Sequence, residues 1–148
     1  MHNVSGIFYG VPLTLSPAAC CTISDFLKDT NTTPEDYNLI LTGDLGSVGT
    51  ELLCELIIKE ENIDISAVHN DCGLMIYDLI KQNEVGAGGS GCGCSAAVLC
   101  SDIINRIEMG ELKKVLFVGT GALMSGVSSM QSESIPAIAH GVLLSSGG

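Results

Sequence analysis

Segments with the period of a helix and segments with the look of a buried strand alternate along this chain. That alternation restricts the possible fold more than any other feature. Asn38 to Thr42 (Asn-Leu-Ile-Leu-Thr) reads as a short buried strand stopped by Gly43. Gly46 and Ser47 then open a helix, Val48 to Lys59, whose Val48, Leu52, Leu56 and Leu53, Ile57 fall at three- and four-residue spacing. Ile63 to Val68 is expected to be a second strand, leading into His69. A helix from about Cys94 to Met109 turns Val98, Leu99, Ile103 and Ile107 inward, and Gly110 ends it. Lys114 to Gly119 is a further buried strand, and Ile135 to Leu144 is the last. Upstream, after an irregular lead-in of about ten residues, Ser16 before Pro17 predicts a helix start. That helix runs to about Lys28 with Ala19, Ile23, Phe26 and Leu27 on its apolar face, and Thr33 to Asp36 makes one capped turn. Helices between short strands predict an α/β layer structure, a mixed and mostly parallel sheet with helices on both faces.

Composition narrows the function. The 148 residues suit one domain, or one half of a larger two-part fold. Hydrophobic residues are 46% and charged residues 16%, enough to bury a core and exclude intrinsic disorder. Six Lys and Arg stand against 17 Asp and Glu, a net charge of −11. Six cations spread along the chain give no basic face to neutralise phosphates, so nucleic acid is excluded as a partner, and anionic lipid is disfavoured. No apolar run approaches the roughly 20 residues needed to span a bilayer, and no basic start precedes an apolar run at the N-terminus. The expectation is a soluble or peripheral protein. Seven cysteines occur (Cys20, Cys21, Cys54, Cys72, Cys92, Cys94, Cys100), with no pair spaced C-x-x-C. No zinc module follows from that spacing, and free thiols in a reducing compartment are expected. No metal site or cofactor is expected.

Four features carry chemistry. Gly86 to Ser95 (Gly-Ala-Gly-Gly-Ser-Gly-Cys-Gly-Cys-Ser) holds five glycines and feeds a helix N-terminus. Gly89, Ser90, Gly91 and Cys92 there are candidate contacts for a carboxylate or phosphate, because unpaired amides and the helix dipole favour an anion. A tight turn packed against another chain or half explains the run equally well. The formal G-x-G-x-x-G match lacks a preceding strand, so a dinucleotide site is rejected. His69, Asp71 and Cys72 form the densest titratable cluster, at a strand end, where α/β folds place ligand groups. His69 and Cys72 could be a nucleophilic pair; a hydrogen-bonded loop histidine beside a buried cysteine is the alternative. Asp44 follows the first strand and either orients a ligand donor or caps the helix from Gly46 onward. His140, in Ile-Pro-Ala-Ile-Ala-His, is expected to be a satisfied core histidine.

Several longer stretches carry a resemblance. Thr42-Gly-Asp-Leu-Gly-Ser-Val-Gly, His69-Asn-Asp-Cys-Gly-Leu-Met-Ile-Tyr-Asp, Ala87-Gly-Gly-Ser-Gly-Cys-Gly-Cys-Ser-Ala and Glu133-Ser-Ile-Pro-Ala-Ile-Ala-His resemble the stage V sporulation protein AD family. The resemblance covers nearly the whole chain but only the C-terminal half of that family. It implies a thiolase-like fold, of which residues 1–148 are the second half, the nucleophilic cysteine lying in the absent first half. Placed against the ketosynthase pattern, Gly43-Asp44 stands where a catalytic His would be and Gly91 to Ser95 where Gly-Asn-Thr-Ser would be, so the acyl-transfer residues are expected to be lost. The function so implied is non-enzymatic: binding of dipicolinate (pyridine-2,6-dicarboxylate), or its calcium chelate, for uptake into the developing spore. The implied partners are the small dicarboxylate, other products of the same sporulation operon at the inner spore membrane, and a second copy in a full-length homodimer. The implied ligand contacts are His69, Asp71, Cys72, Asp44, Gly89, Ser90, Gly91 and Cys92. The competing reading is a thiolase- or ketosynthase-like acyltransferase half in which His69 and Cys72 or Cys92 have taken over catalysis.

Overall fold

The computed structural model of the chain describes residues 5–122 and 136–147. In order, the elements are α1 (Ser5–Thr30), a 3₁₀ turn (Pro34–Asp36), β1 (Leu39–Thr42), α2 (Gly46–Glu61), β2 (His69–Asp71) and α3 (Cys72–Met75). A second 3₁₀ turn (Asn83–Val85), α4 (Cys94–Val98), α5 (Ile104–Glu108), β3 (Lys114–Ala122) and β4 (Ala137–Ser145) complete the chain. Leu99–Ile103 joins α4 to α5 as a π-helical turn, so the expected helix over 94–109 is one rod with a widened middle. Gly110 follows it with φ +77°.

Among the described residues the sheet has four strands in the order β2-β1-β3-β4. β1 is parallel to both β2 and β3, while β4 runs antiparallel to β3. This is the mixed, mostly parallel sheet expected, with the antiparallel strand at its edge. Asn38 sets where β3 meets β1: its side-chain oxygen accepts from the amides of Lys113 (2.8 Å) and Lys114 (2.9 Å).

Helices cover both faces. On one, Leu15, Ala19, Cys20, Ile23 and Leu27 of α1 and Leu53 and Ile57 of α2 close over Ile40, Leu116 and Val118. On the other, Cys94, Val98 and Ile103 pack on Leu41 and Val115, with Leu99, Ile107, Phe117 and Leu144 at the margin. Alternate residues along β1 and β3 serve opposite cores, as the period of a strand requires. Among the described residues, no helix is long and apolar enough to cross a membrane.

Three local expectations change, and part of one motif cannot be compared. The first helix does not start at Ser16 but at Ser5, and runs through Pro17. The Ser16 hydroxyl donates to the Gly49 carbonyl on α2 (2.8 Å), tying the two helices together. Ile63 to Val68 is not a strand. The Asp64 carboxylate accepts from the Ser66 amide (2.9 Å), and the Ile65 carbonyl accepts from Val68 (3.0 Å) and His69 (2.9 Å). That turn breaks the extended run and postpones β2 to His69. His140 lies exposed on the edge strand rather than in a core. Finally, Glu133 to Ile135 of the last quoted motif lie outside the described residues.

The orientation of α2 is tested by a neighbouring pair. Ile57 is fully buried and Ile58 about half exposed. Ile57→Ala should lower the unfolding free energy by about 2–5 kcal/mol and Ile58→Ala by less than about 1 kcal/mol, read by urea titration.

Candidate ligand site

The site is built where β1 and β2 end. Their register sets Thr42 beside Asp71, and both side chains are fully buried. The Asp71 carboxylate accepts four hydrogen bonds. Oδ2 takes the Thr42 hydroxyl (2.7 Å) and the Leu45 amide (2.9 Å); Oδ1 takes the Gly46 amide (2.9 Å) and the Gly73 amide (2.9 Å). One carboxylate therefore satisfies orphan amides at the starts of both α2 and α3. Burial pushes the Asp71 carboxyl above its ordinary pKa, and these four donors pull the other way.

His69 stands behind this group. Its Nε2 lies 3.1 Å from the Thr42 hydroxyl. Thr42 gives its one proton to Asp71, so His69 is the donor and carries its hydrogen on Nε2. Burial lowers the imidazole to a pKa of about 4, so it is neutral at physiological pH.

Asp44 is partly exposed and faces the other way. Oδ1 accepts from the Thr120 hydroxyl on β3 (2.9 Å), and Oδ2 from the Gly91 amide (3.0 Å) and the Ser90 hydroxyl (3.5 Å). It does not cap α2, because Asp71 already holds those amides from the neighbouring strand. Asp44 instead clasps the glycine loop to β3. The anion that the Gly91 amide receives is thus the chain's own.

The loop packs backbone on backbone. The Ala87 carbonyl accepts from the Ser47 amide (2.8 Å), and the Gly89 amide donates to the Gly73 carbonyl (2.7 Å). Gly46 has φ +66°, and a Cβ there would lie 2.7 Å from the Ala87 oxygen. A Cβ on Gly73 would collide with the Gly89 oxygen. The glycines are needed for this approach, and the surface they meet belongs to the same chain.

The expected ligand residues divide. Asp44, Ser90 and Gly91 come together at the surface, and Cys92, next in the chain, is exposed. Asp71, Cys72 and Gly89 are buried, with Asp71 and Gly89 hydrogen-bonded within the chain. Burial first, and the adjacent Asp71 charge second, push the Cys72 thiol up to about 12, and burial also raises Cys94. A thiol held protonated and an imidazole bonded through Nε2 to Thr42 do not make a nucleophilic pair. Thr42 and Thr120, absent from the expected set, hold the two carboxylates. Only strand register brings them there; the Thr-Gly-Asp triplet was the one local signal.

Two measurements follow. Asp71→Asn points an amide at donors that need an acceptor and should lower stability by about 3 kcal/mol in urea titration. His69 adds a pH dependence. Unfolded, it titrates near its ordinary 6.5; folded, near 4. Above pH 6.5 both states are neutral and nothing is lost. Between 6.5 and 4 the unfolded chain binds a proton that the folded one does not, so stability falls by roughly 3 kcal/mol in total. His69→Gln should flatten that part of the stability–pH curve.

A family model described as Stage V sporulation protein AD matches residues 10–145. The Stage V sporulation protein AD of Bacillus subtilis (strain 168) is 46% identical over 134 residues, which are 90% of this chain and 39% of that protein. The chain thus spans about two-fifths of the length of this relative. A match over most of the chain, at this identity, places it in a family: the chain belongs to the stage V sporulation protein AD family.

Proposed function

We propose that the chain serves sporulation as part of a non-enzymatic component that binds dipicolinate, as its calcium chelate, during uptake into the developing spore. The observation that carries this reading is the 46% identity to a protein named for stage V of sporulation. The proposed ligand surface is the exposed rim formed by Asp44, Ser90, Gly91 and Cys92, with His69 neutral behind Thr42. The partners are other products of the same operon at the inner spore membrane and a second copy of the full-length protein; the proposed location is soluble or peripheral to that membrane.

The charge at the rim supports a chelate over the free dianion. Asp44 already occupies the Gly91 amide, and the chain carries −11. A second carboxylate brought there meets like charge, while a one-to-one calcium chelate is electroneutral. The acyltransferase reading has less support, since Cys72 is held protonated and the His69 Nε2 is bonded to Thr42.

Isothermal titration with dipicolinate, with and without calcium, tests the proposal. Saturable binding that calcium strengthens, that Asp44→Ala alters, and that releases no thiol from acyl-CoA is the expected result. Thioester turnover, or no binding under either condition, contradicts it.

A further inference from the structure

Three thiols gather where the glycine loop enters α4. Cys92 is exposed on the loop. Cys94, two residues on, is only 5% exposed and shares a core with Cys72, Leu41 and Val98. Cys72 is fully buried at the start of α3. All three are free. The backbone suits one pair of them to bond. Gly93 has φ −94° and ψ −11°, a helical conformation. A helical residue in between sets the Cα atoms of Cys92 and Cys94 about 5.4 Å apart. That is within the span of roughly 4.4–6.8 Å that a disulfide bridges. Cys20 and Cys21 differ, because they are adjacent in α1 across a trans peptide. Their Cα atoms stand about 3.8 Å apart, short of that span.

The loop has room for the bond. A Cβ on Gly91 or on Gly93 would meet nothing within 4 Å. At Gly89 a Cβ would lie 3.0 Å from Ile76 and 3.1 Å from Tyr77. The main chain is therefore packed as far as Gly89 and open at Gly91 and Gly93, until Cys94 enters the core. The Cys94 amide donates to the Gly91 carbonyl (3.1 Å). Gly91 to Cys94 is thus one closed turn, with Cys92 at its second position and Cys94 at its fourth. The two sulfurs differ in access and in acidity. Cys92 faces solvent, where a small reagent reaches it. Burial first, and the charges of Asp71 and Asp44 after it, raise the Cys94 thiol.

We infer that Cys92 and Cys94 form a reversible thiol–disulfide site, oxidised by a low-molecular-weight disulfide. In the first step the Cys92 thiolate attacks one sulfur of the small disulfide. A mixed disulfide forms on Cys92 and one small thiolate leaves; the proton that Cys92 lost passes through solvent to it. In the second step the Cys94 thiolate attacks the Cys92 sulfur and expels the other small thiolate, which takes the Cys94 proton. Two protein thiols and one small disulfide become one protein disulfide and two small thiols. Excess small thiol runs both steps backwards. The thiolate is the attacking form, and Cys94 is held protonated, so the second step is the slower one. The mixed disulfide on Cys92 therefore accumulates before the ring closes. The bond ties the open stretch beside Gly91 to the first residue of α4, and it requires no particular ligand at the rim.

Oxidised glutathione on the native chain tests it, followed by acid quench, alkylation of the remaining thiols, tryptic digestion and mass spectrometry. Cys92, Cys94 and Cys100 fall on one tryptic peptide, residues 82–106, and Cys72 on another, residues 60–81. The expected product is a bond within 82–106 that fragmentation places between Cys92 and Cys94. Glutathione on Cys92 should precede it, and reduced glutathione should return it to the dithiol. Cys100→Ser should leave the product unchanged, and Cys92→Ser should abolish it. Cys94→Ala should leave the Cys92 adduct as the end product. Should Cys94→Ala fail to fold, the map of the unaltered chain decides. Peptides 60–81 and 82–106 joined by a Cys72–Cys94 bond, a bond to Cys100, persistence of the product in Cys92→Ser, or a Cys92 adduct that never closes would each overturn the inference.

Discussion

A single carboxylate organises one end of this molecule. Asp71 gathers a strand hydroxyl, the first amides of α2 and the second amide of α3, and all of it is out of water. An ion in that position is stable only if its lone pairs are filled, and they are. In return, the directions of α2 and α3 are fixed relative to β1 and β2. The rim that includes Asp44 sits on the platform this makes. His69 and Cys72, next to Asp71 in sequence, owe their chemistry to the same burial: it lowers the imidazole and raises the thiol, leaving both neutral.

The two carboxylates differ in what surrounds them. Asp71 has no water and four donors; Asp44 is partly wet, and two of its three donors belong to the glycine loop. The first is architecture and the second a clasp. A loop held by one partly exposed acidic side chain and two main-chain hydrogen bonds can be displaced at modest cost, whereas moving Asp71 would uncap two helices. Any ligand competing for the Gly91 amide must therefore displace Asp44 or bring something that Asp44 attracts.

Much of the architecture was legible in the residues because it rests on local pattern. The apolar periods of α2, β1 and β3 and the capped turn at Thr33 are properties of short windows. Ile63 to Val68 misled because apolar content was read as extension while Asp64 and Ser66 encoded a turn. Ser16-Pro17 misled because a good cap can equally bond across to another helix. The site was harder. Asp44, Ser90 and Gly91 were named, yet their mutual contact depends on residues 46 or more apart. Asp71 and Cys72 were named as ligand groups because sequence shows titratable character and conceals burial. His140 failed for the same reason in reverse: an apolar strand at a sheet edge leaves its polar residue in water.

The close approach of Gly46 to Ala87 and of Gly73 to Gly89 uses no side chain at all. The position of the rim is thereby written mostly into the main chain, while Cys92 decorates it and Ser90 adds only a long hydrogen bond to Asp44 (3.5 Å). Such an arrangement separates surface from frame: the side chains at positions 90 and 92 can change without renegotiating the main-chain packing beneath.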